Sequence, residues 1–136
     1  MQDIYQKTLS KIISFEGIGL HSGQKTKINL LPAKSNHGIV FKRIDLKKNN
    51  LIRANYLNVS SAKLCTTLEN DHGVKVSTVE HLLAAFYLVG VDNAIVEVDN
   101  EEVPIMDGSS KMFLDSLNNS KLKVLEEKRK FLRVSN

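Results

Sequence analysis

The sequence is poor in residues that cross-link a chain or carry it through a membrane. Cys65 is the single cysteine, so no disulfide can form within the chain, which suits a reducing compartment such as the cytoplasm. No apolar run approaches the roughly 20 residues that a membrane-spanning helix needs. The first residues also lack the apolar stretch of a signal peptide. We therefore expect a cytoplasmic protein with at most peripheral contact with a membrane.

Aromatic residues and clustered basic residues are also scarce. The three tyrosines and five phenylalanines are spread along the chain, there is no tryptophan, and the lysines are scattered. A nucleic-acid-binding surface needs basic clusters interleaved with aromatic side chains, so we expect no nucleic-acid partner. The net charge of +4 still permits an anionic ligand. With 136 residues, 42% of them hydrophobic, the chain is suited to one domain with one core.

Hydrophobic periodicity predicts strands in the first half of the chain and two helices later. The predicted strands cover Lys7–Phe15, Lys25–Leu31, Gly38–Arg43, Lys63–Glu69, Val74–Val76 and Asn93–Val98. The turn formers at residues 70–73 make a hairpin of the fourth and fifth strands. This order of strands, helix, strand and helix predicts an α+β two-layer domain.

Both predicted helices have a recognisable apolar face. The residues at helical spacing in the first helix are Val79, Leu82, Leu83, Phe86 and Val89. Gly90 is placed to end that helix. The second helix should begin after Asp107–Ser110, direct Met112, Phe113 and Leu117 inward, and end at Asn118–Asn119.

The C-terminal residues differ in character from the rest. The segment KLKVLEEKRK, residues 121–130, is highly charged and lacks turn formers, which is typical of a linker or a solvated helix. FLRVSN, residues 131–136, resembles the first residues of another strand. We therefore expect one domain over residues 1–120, and a linker with the start of a second domain over residues 121–136.

The stretch STVEHLLAAF, residues 77–86, permits two interpretations of Glu80. Ser77 followed three residues later by Glu80 is the pattern of a capping box, in which the two residues satisfy the first amides of the helix. Alternatively, Glu80 is a catalytic base beside a metal ligand, His81. The capping box is the more common of the two arrangements, and the pattern alone leaves both open.

A metal site needs more ligands than this helix offers. A catalytic zinc usually takes three protein ligands and a water, but Ala84 stands where a second histidine would lie one turn after His81. Other ligands must come from elsewhere in the sequence. The nearest candidates are His21, His37, His72, Cys65, Asp71 and Asp107, and none has a diagnostic spacing from His81. His37 and His72 fall in predicted loops and are better explained as exposed side chains.

Three other features have a structural and a functional interpretation. GIGLHSG, residues 17–23, lacks the spacing of a dinucleotide-binding loop and precedes a strand. It predicts either a glycine-rich turn or a loop that brings Leu20 and His21 to a ligand. Asp107 is better explained as the residue that fixes a turn. Cys65 has no basic neighbour in sequence and is expected to be a small buried apolar residue.

Several motifs together resemble one known enzyme family. FEGIGLHSG, LCTTLE, STVEHLLAAF and VDNAIVEVDNEEVPIMDGSS occur in the order and separation typical of the N-terminal domain of UDP-3-O-acyl-N-acetylglucosamine deacetylase, a zinc amidase of lipid A synthesis in Gram-negative bacteria. The resemblance implies a sandwich of one mainly antiparallel sheet and two helices. It implies that Glu80 is the general base, that His81 binds Zn²⁺, and that Leu20, His21, Leu64 and Cys65 line the substrate site.

The same resemblance implies that the site is incomplete in this chain. Members of the family have a second domain that supplies the other zinc ligands and most of the acyl passage. We therefore expect these 136 residues to be inactive alone and to act with a C-terminal domain on UDP-3-O-acyl-N-acetylglucosamine, releasing acetate. The alternative is a non-catalytic α+β module that binds an anionic ligand.

Overall fold

The computed structural model describes residues 4–61 and 65–130 and places ten strands and two helices in them. The strands are β1 (Tyr5–Leu9), β2 (Ile13–Ile18), β3 (Lys25–Pro32), β4 (Ile39–Arg43), β5 (Leu51–Arg53), β6 (Val59–Ser61), β7 (Thr67–Glu69), β8 (Lys75–Ser77), β9 (Ala94–Val98) and β10 (Leu122–Lys128). The helices are α1 (Glu80–Val89) and α2 (Lys111–Asn118), and a short 3-10 turn spans Tyr56–Asn58. Neither helix is long and apolar enough to cross a lipid bilayer.

The main sheet has five strands in the order β2-β3-β9-β4-β5. Only β4 and β9 pair in parallel, and the other neighbouring strands are antiparallel. Buried and less buried residues alternate along β3 and β9, because successive side chains of a strand point to opposite faces. The fully buried face includes Ile28, Leu30, Val96 and Val98, which form the centre of the core.

Both helices join this core through a narrow apolar face. α1 buries Leu82, Ala85 and Phe86, which lie three and four residues apart. α2 buries Phe113 and Leu117, one helical turn apart. These residues and the inner face of the sheet belong to one hydrophobic cluster. The predicted α+β class with two helices is therefore confirmed.

The helix ends agree with the sequence, but one inward residue was wrongly predicted. α1 ends at Gly90, whose φ of 93° lies in the left-handed region that favours glycine. α2 ends at Asn118, with Asn119 as its C-cap. Met112 is 42% exposed. It adjoins Phe113 in sequence and is therefore turned by about 100° away from the buried face.

Two small sheets accompany the main one. β6, β7 and β8 form a three-stranded antiparallel sheet, and β7 and β8 are the predicted hairpin. The side-chain oxygen of Asn70 accepts hydrogen bonds from the backbone amides of His72 and Val74, which fixes the turn. β1 and β10 form an antiparallel pair, which joins the two ends of the described chain.

One strand prediction and the prediction for the charged C-terminal segment were wrong. The segment Lys7–Phe15 is divided between β1 and β2 by a bend where the Ser10 hydroxyl donates to the Lys121 carbonyl. Residues 122–128 are strand β10 instead of a linker or a helix. Most of β10 is exposed, so its side chains carry no alternating pattern, and only the partner strand β1 shows that it is a strand. Residues 131–136, where we predicted a second domain to begin, lie outside the described residues.

Candidate active site

Glu80 and His81 occupy the first turn of α1, but the capping box is not formed. The N-cap residue is Val79, and no side chain caps the helix. Ser77 lies in β8, where its hydroxyl is 2.9 Å from the hydroxyl of Thr67. The Glu80 carboxylate instead accepts a hydrogen bond from the Thr66 amide, at 3.2 Å. Glu80 is therefore held by the neighbouring hairpin and not by its own helix.

The chain turns sharply at Thr78, just before these two residues. Thr78 has a φ of 62°, in the left-handed region that β-branched residues rarely adopt. Its amide donates to the Thr66 carbonyl at 2.9 Å. Thr66 thus binds the turn through its carbonyl and Glu80 through its amide. Strained backbone of this kind clusters at functional sites, where surrounding contacts enforce it.

His81 lies on a face of α1 that is only partly covered. Its carbonyl accepts a hydrogen bond from the Ser110 hydroxyl at 2.9 Å, which joins the start of α2 to the start of α1. Ala84 and Leu88 follow on the same face, three and seven residues later. Ala84 is exposed, and Leu88 is 66% exposed. The His81 side chain therefore borders an open helix surface.

Leu20 and His21 lie in the glycine-rich turn between β2 and β3, as the sequence predicted. The turn is closed by backbone hydrogen bonds from Gly19 to Gln24 and from Gly23 to Gly19. Gly23 has a φ of 67°, which explains a glycine at this position. Leu20 is 56% exposed, and the His21 side chain is exposed too. The turn therefore presents both side chains to solvent.

Glu102 is a site residue that the sequence analysis missed. It is 3% exposed, and its carboxylate accepts hydrogen bonds from the amides of His21 at 3.0 Å and Ser22 at 3.1 Å. It also accepts one from the Thr78 hydroxyl at 2.8 Å. Burial raises the pKa of the Glu102 carboxyl, but these hydrogen bonds outweigh burial and hold the pKa below the ordinary glutamate value. Nothing local in the sequence distinguishes Glu102 from its exposed neighbour Glu101.

A cavity of about 530 Å³ brings some of the predicted residues together. Its lining comprises His21, Ser22, Ser61, Cys65, Ser77, Glu101 and Glu102. His21 and Cys65 therefore share one cavity. Leu20, Glu80 and His81 are not part of its lining, although Glu80 is bound to Thr66, the residue after Cys65. Leu64 lies outside the described residues.

The structure confirms the predicted role of Asp107 but not the predicted burial of Cys65. Cys65 is half-buried, and its sulfur is 3.9 Å from the Thr67 hydroxyl, so it is more accessible than a core residue. Asp107 fixes the predicted turn, because its carboxylate accepts hydrogen bonds from the amide and hydroxyl of Ser109. Those hydrogen bonds lower the pKa of the fully exposed Asp107 carboxyl.

The described part of the chain does not complete a metal site. Within residues 4–61 and 65–130, no three or more His, Cys, Asp and Glu side chains are grouped so that they could hold a metal ion. His81 has the chemistry of a zinc ligand, but a lone imidazole leaves the usual protein ligand set of a catalytic zinc unfilled. The donor set of these residues therefore fits zinc only in part.

Comparison with known proteins identifies the family. The family model LpxC, UDP-3-O-acyl N-acetylglycosamine deacetylase, matches residues 6–136. The chain belongs to this family. It is 46% identical over 132 residues to the UDP-3-O-acyl-N-acetylglucosamine deacetylase of Wigglesworthia glossinidia brevipalpis. The matched region covers 96% of this chain and 44% of the relative.

Two further members of the LpxC family show the same extent of similarity. The chain is 47% identical to the deacetylase of Idiomarina loihiensis, covering 96% of the chain and 43% of the relative. It is 44% identical to a deacetylase of Vibrio cholerae with the same coverage, 96% and 43%. The chain thus spans less than half the length of these curated relatives. The predicted resemblance is confirmed, whereas the roles of individual residues stay predictions.

Proposed function

We propose that this chain is the N-terminal part of a zinc-dependent UDP-3-O-acyl-N-acetylglucosamine deacetylase of lipid A synthesis. The observation that carries the proposal is the position of Glu80 and His81. They begin α1 just after the strained residue Thr78. The Glu80 carboxylate accepts a hydrogen bond from Thr66, and the residue before Thr66, Cys65, lines the cavity. Membership of the LpxC family agrees with this arrangement.

Glu80 is the group that moves protons in the proposed reaction. Its side chain is half-buried, and its carboxylate accepts one backbone hydrogen bond, from Thr66. A carboxylate has about four acceptor positions, so Glu80 retains capacity to accept the proton of an attacking water. The same carboxyl then returns a proton to the leaving amine as the acetamide bond breaks. Acetate and a free glucosamine amine are the products.

Zinc would be held by His81 together with ligands from outside the described residues. In hydrolases a zinc ion polarises the carbonyl and acidifies a water, which is the chemistry this reaction needs. The open surface of α1 can receive a further domain, because Leu88, two helical turns after His81 on the same face, is 66% exposed and the neighbouring Tyr87 is 85% exposed. Burying those side chains would stabilise the contact and bring additional ligands to His81.

The proposed substrate is consistent with the net charge of the chain and with the residues that line the cavity. UDP-3-O-acyl-N-acetylglucosamine is anionic, and the net charge of +4 favours its association. His21 and Cys65 line the cavity and are the proposed substrate contacts, together with their sequence neighbours Leu20 and Leu64. We place the reaction in the cytoplasm, with peripheral contact at the inner membrane, where the acyl product enters lipid synthesis.

Glu80→Gln in the complete protein encoded by the gene tests the proposal. Glutamine retains an oxygen acceptor for the Thr66 amide but cannot accept the water proton, so kcat should fall by about 10²- to 10⁴-fold. Zinc content and substrate affinity should change little. The matched control is Glu16→Gln on β2, an exposed position outside the cavity lining, which should retain full activity. Full turnover by Glu80→Gln would refute the assigned role.

Metal analysis separates the enzyme from a binding module. The complete protein should contain about one zinc per chain, and His81→Ala should lower the bound zinc. The 136-residue chain alone should neither retain stoichiometric zinc nor release acetate. Binding of the UDP-sugar by a complete protein with no zinc and no turnover would instead support the non-catalytic module.

A further inference from the structure

Two segments that are distant in sequence converge on the carboxylate of Glu102. The amides of His21 and Ser22 donate to it from the β2–β3 turn, and the Thr78 hydroxyl donates from the turn before α1. His21 and Glu102 are 81 residues apart in the chain. The two carboxylate oxygens therefore join the turn that presents His21 to the turn that presents Glu80.

Glu102 is buried and hydrogen-bonded, which distinguishes it from an exposed surface carboxylate. Glu102 is 3% exposed, whereas the adjacent Glu101 is exposed. A buried carboxylate is costly unless its oxygens are hydrogen-bonded, and here three donors surround it. Bonds from N–H and O–H groups to an ionised acceptor are stronger than bonds between neutral groups. Removing the charge would therefore loosen both turns at once.

Gly19 makes room for the carboxylate. It is not among the glycines with positive φ, so backbone conformation does not explain a glycine there. A methyl group on Gly19 would overlap the Glu102 carboxylate and would lie 2.5 Å from the Ser22 hydroxyl. The absent side chain at Gly19 is thus part of the same arrangement.

We propose that Glu102 is a positioning residue that fixes the His21 turn relative to Glu80 and His81. Glu102 acts through the His21 backbone and through Thr78, so it sets where the proposed substrate contact and the proposed base lie without touching either side chain. This assignment rests on the proposed function of the site. The link between the two turns is a property of the structure that can be measured without activity.

Backbone NMR of the 136-residue chain, or of the complete protein, tests the link. The wild-type amides of His21 and Ser22 should exchange slowly with solvent, although the turn is exposed, because the Glu102 carboxylate accepts them. Glu102→Gln should shift the resonances of His21, Ser22 and Thr78 together, and Glu16→Gln should leave them in place. Fast exchange of both amides in the wild type would overturn the proposal without any variant.

Gly19→Ala provides a second route if Glu102→Gln does not fold. The methyl group must displace the carboxylate, so it should produce the same shifts at Ser22 and Thr78. Gly23→Ala is the control for strain in the same turn, because its φ of 67° disfavours alanine but an added methyl there meets no atom within 4 Å and leaves the carboxylate in place. Equal effects of the two alanines on the Thr78 amide would refute the role assigned to Glu102.

Activity of the complete protein distinguishes failure of this inference from failure of the proposed function. Displacing a reacting group by about 1 Å can cost about 10²-fold in rate, so Glu102→Gln should lower kcat/KM by about 10-fold or more with zinc content unchanged. A wild-type protein without deacetylase activity would refute the proposed function, while the NMR result would still decide the link. An active wild type with a fully active Glu102→Gln would refute the positioning role.

Discussion

Truncation of Phe113 should show how strongly α2 is anchored to the main sheet. Phe113 is 1% exposed, and its ring packs edge-on against Phe15 of β2 with the centroids 4.9 Å apart and the planes at 80°. Phe113→Ala removes this ring and leaves a cavity, which typically costs about 3–5 kcal/mol. The edge-to-face contact accounts for about 0.5–1.5 kcal/mol of that loss.

The expected loss is large compared with the stability of one domain. A domain of 136 residues is typically stable by about 7–20 kcal/mol, so Phe113→Ala should remove a substantial fraction. The melting temperature should fall by about 10–25 °C. Because α2 touches the His81 carbonyl through Ser110, the start of α1 should also lose hydrogen-exchange protection before global unfolding.

Urea unfolding followed by circular dichroism measures the change, since the chain has no tryptophan for fluorescence. The control is Met112→Ala on the same helix. Met112 is 42% exposed, so its truncation should cost less than about 1 kcal/mol. A Phe15→Ala and Phe113→Ala double-mutant cycle isolates the ring contact. Equal losses for Met112→Ala and Phe113→Ala would refute the orientation of α2.

Three further predictions concern the Arg129 contacts, the end of α1 and the pH dependence of stability. The Arg129 side chain donates to Asp92 at 2.9 Å and to the Gly90 carbonyl at 3.0 Å. Arg129→Ala should therefore lower the free energy of unfolding by about 1 kcal/mol and speed amide exchange in β10. Lys123→Ala, at an exposed position of β10, should do neither. Gly90→Ala should cost about 1–2 kcal/mol in urea unfolding because φ is 93°, and no loss would contradict a left-handed helix end. The lowered pKa of Glu102 stabilises the fold above the unfolded value of about 4.3, and this contribution is lost as pH falls through the lower folded value. In Glu102→Gln the free energy of unfolding should therefore depend less on pH at acid pH. If its acid pH dependence equals that of the wild type, the hydrogen bonds do not stabilise the ionised Glu102 carboxylate.

The sequence predicted the elements whose signal is local. The apolar spacing of α1 and the glycine at its end specify that helix, because one turn of helix depends on residues three and four apart. The same holds for the Asn70 turn between β7 and β8 and for the Asp107 turn. Motif order was sufficient to predict the family, which the family model confirms.

The errors arose where a distant partner decides the outcome. Ser77 and Glu80 have the spacing of a capping box, yet Thr67 and Thr66 of the adjacent hairpin bind them instead. β10 is an exposed strand with no alternating pattern, and it is defined by pairing with β1. In each case the hydrogen-bond partner comes from another segment of the chain, so a local pattern cannot report it.

The sequence by itself determined the helices, the hairpin turn, the α+β class and the pairing of Glu80 with His81 at one helix start. Only the tertiary structure decided that Glu102 lies beneath the His21 turn and that Thr78 adopts a left-handed conformation. The physical reason is the same for both. A buried carboxylate and a strained backbone persist only when several distant donors and acceptors are held around them, and folding is what brings those groups together.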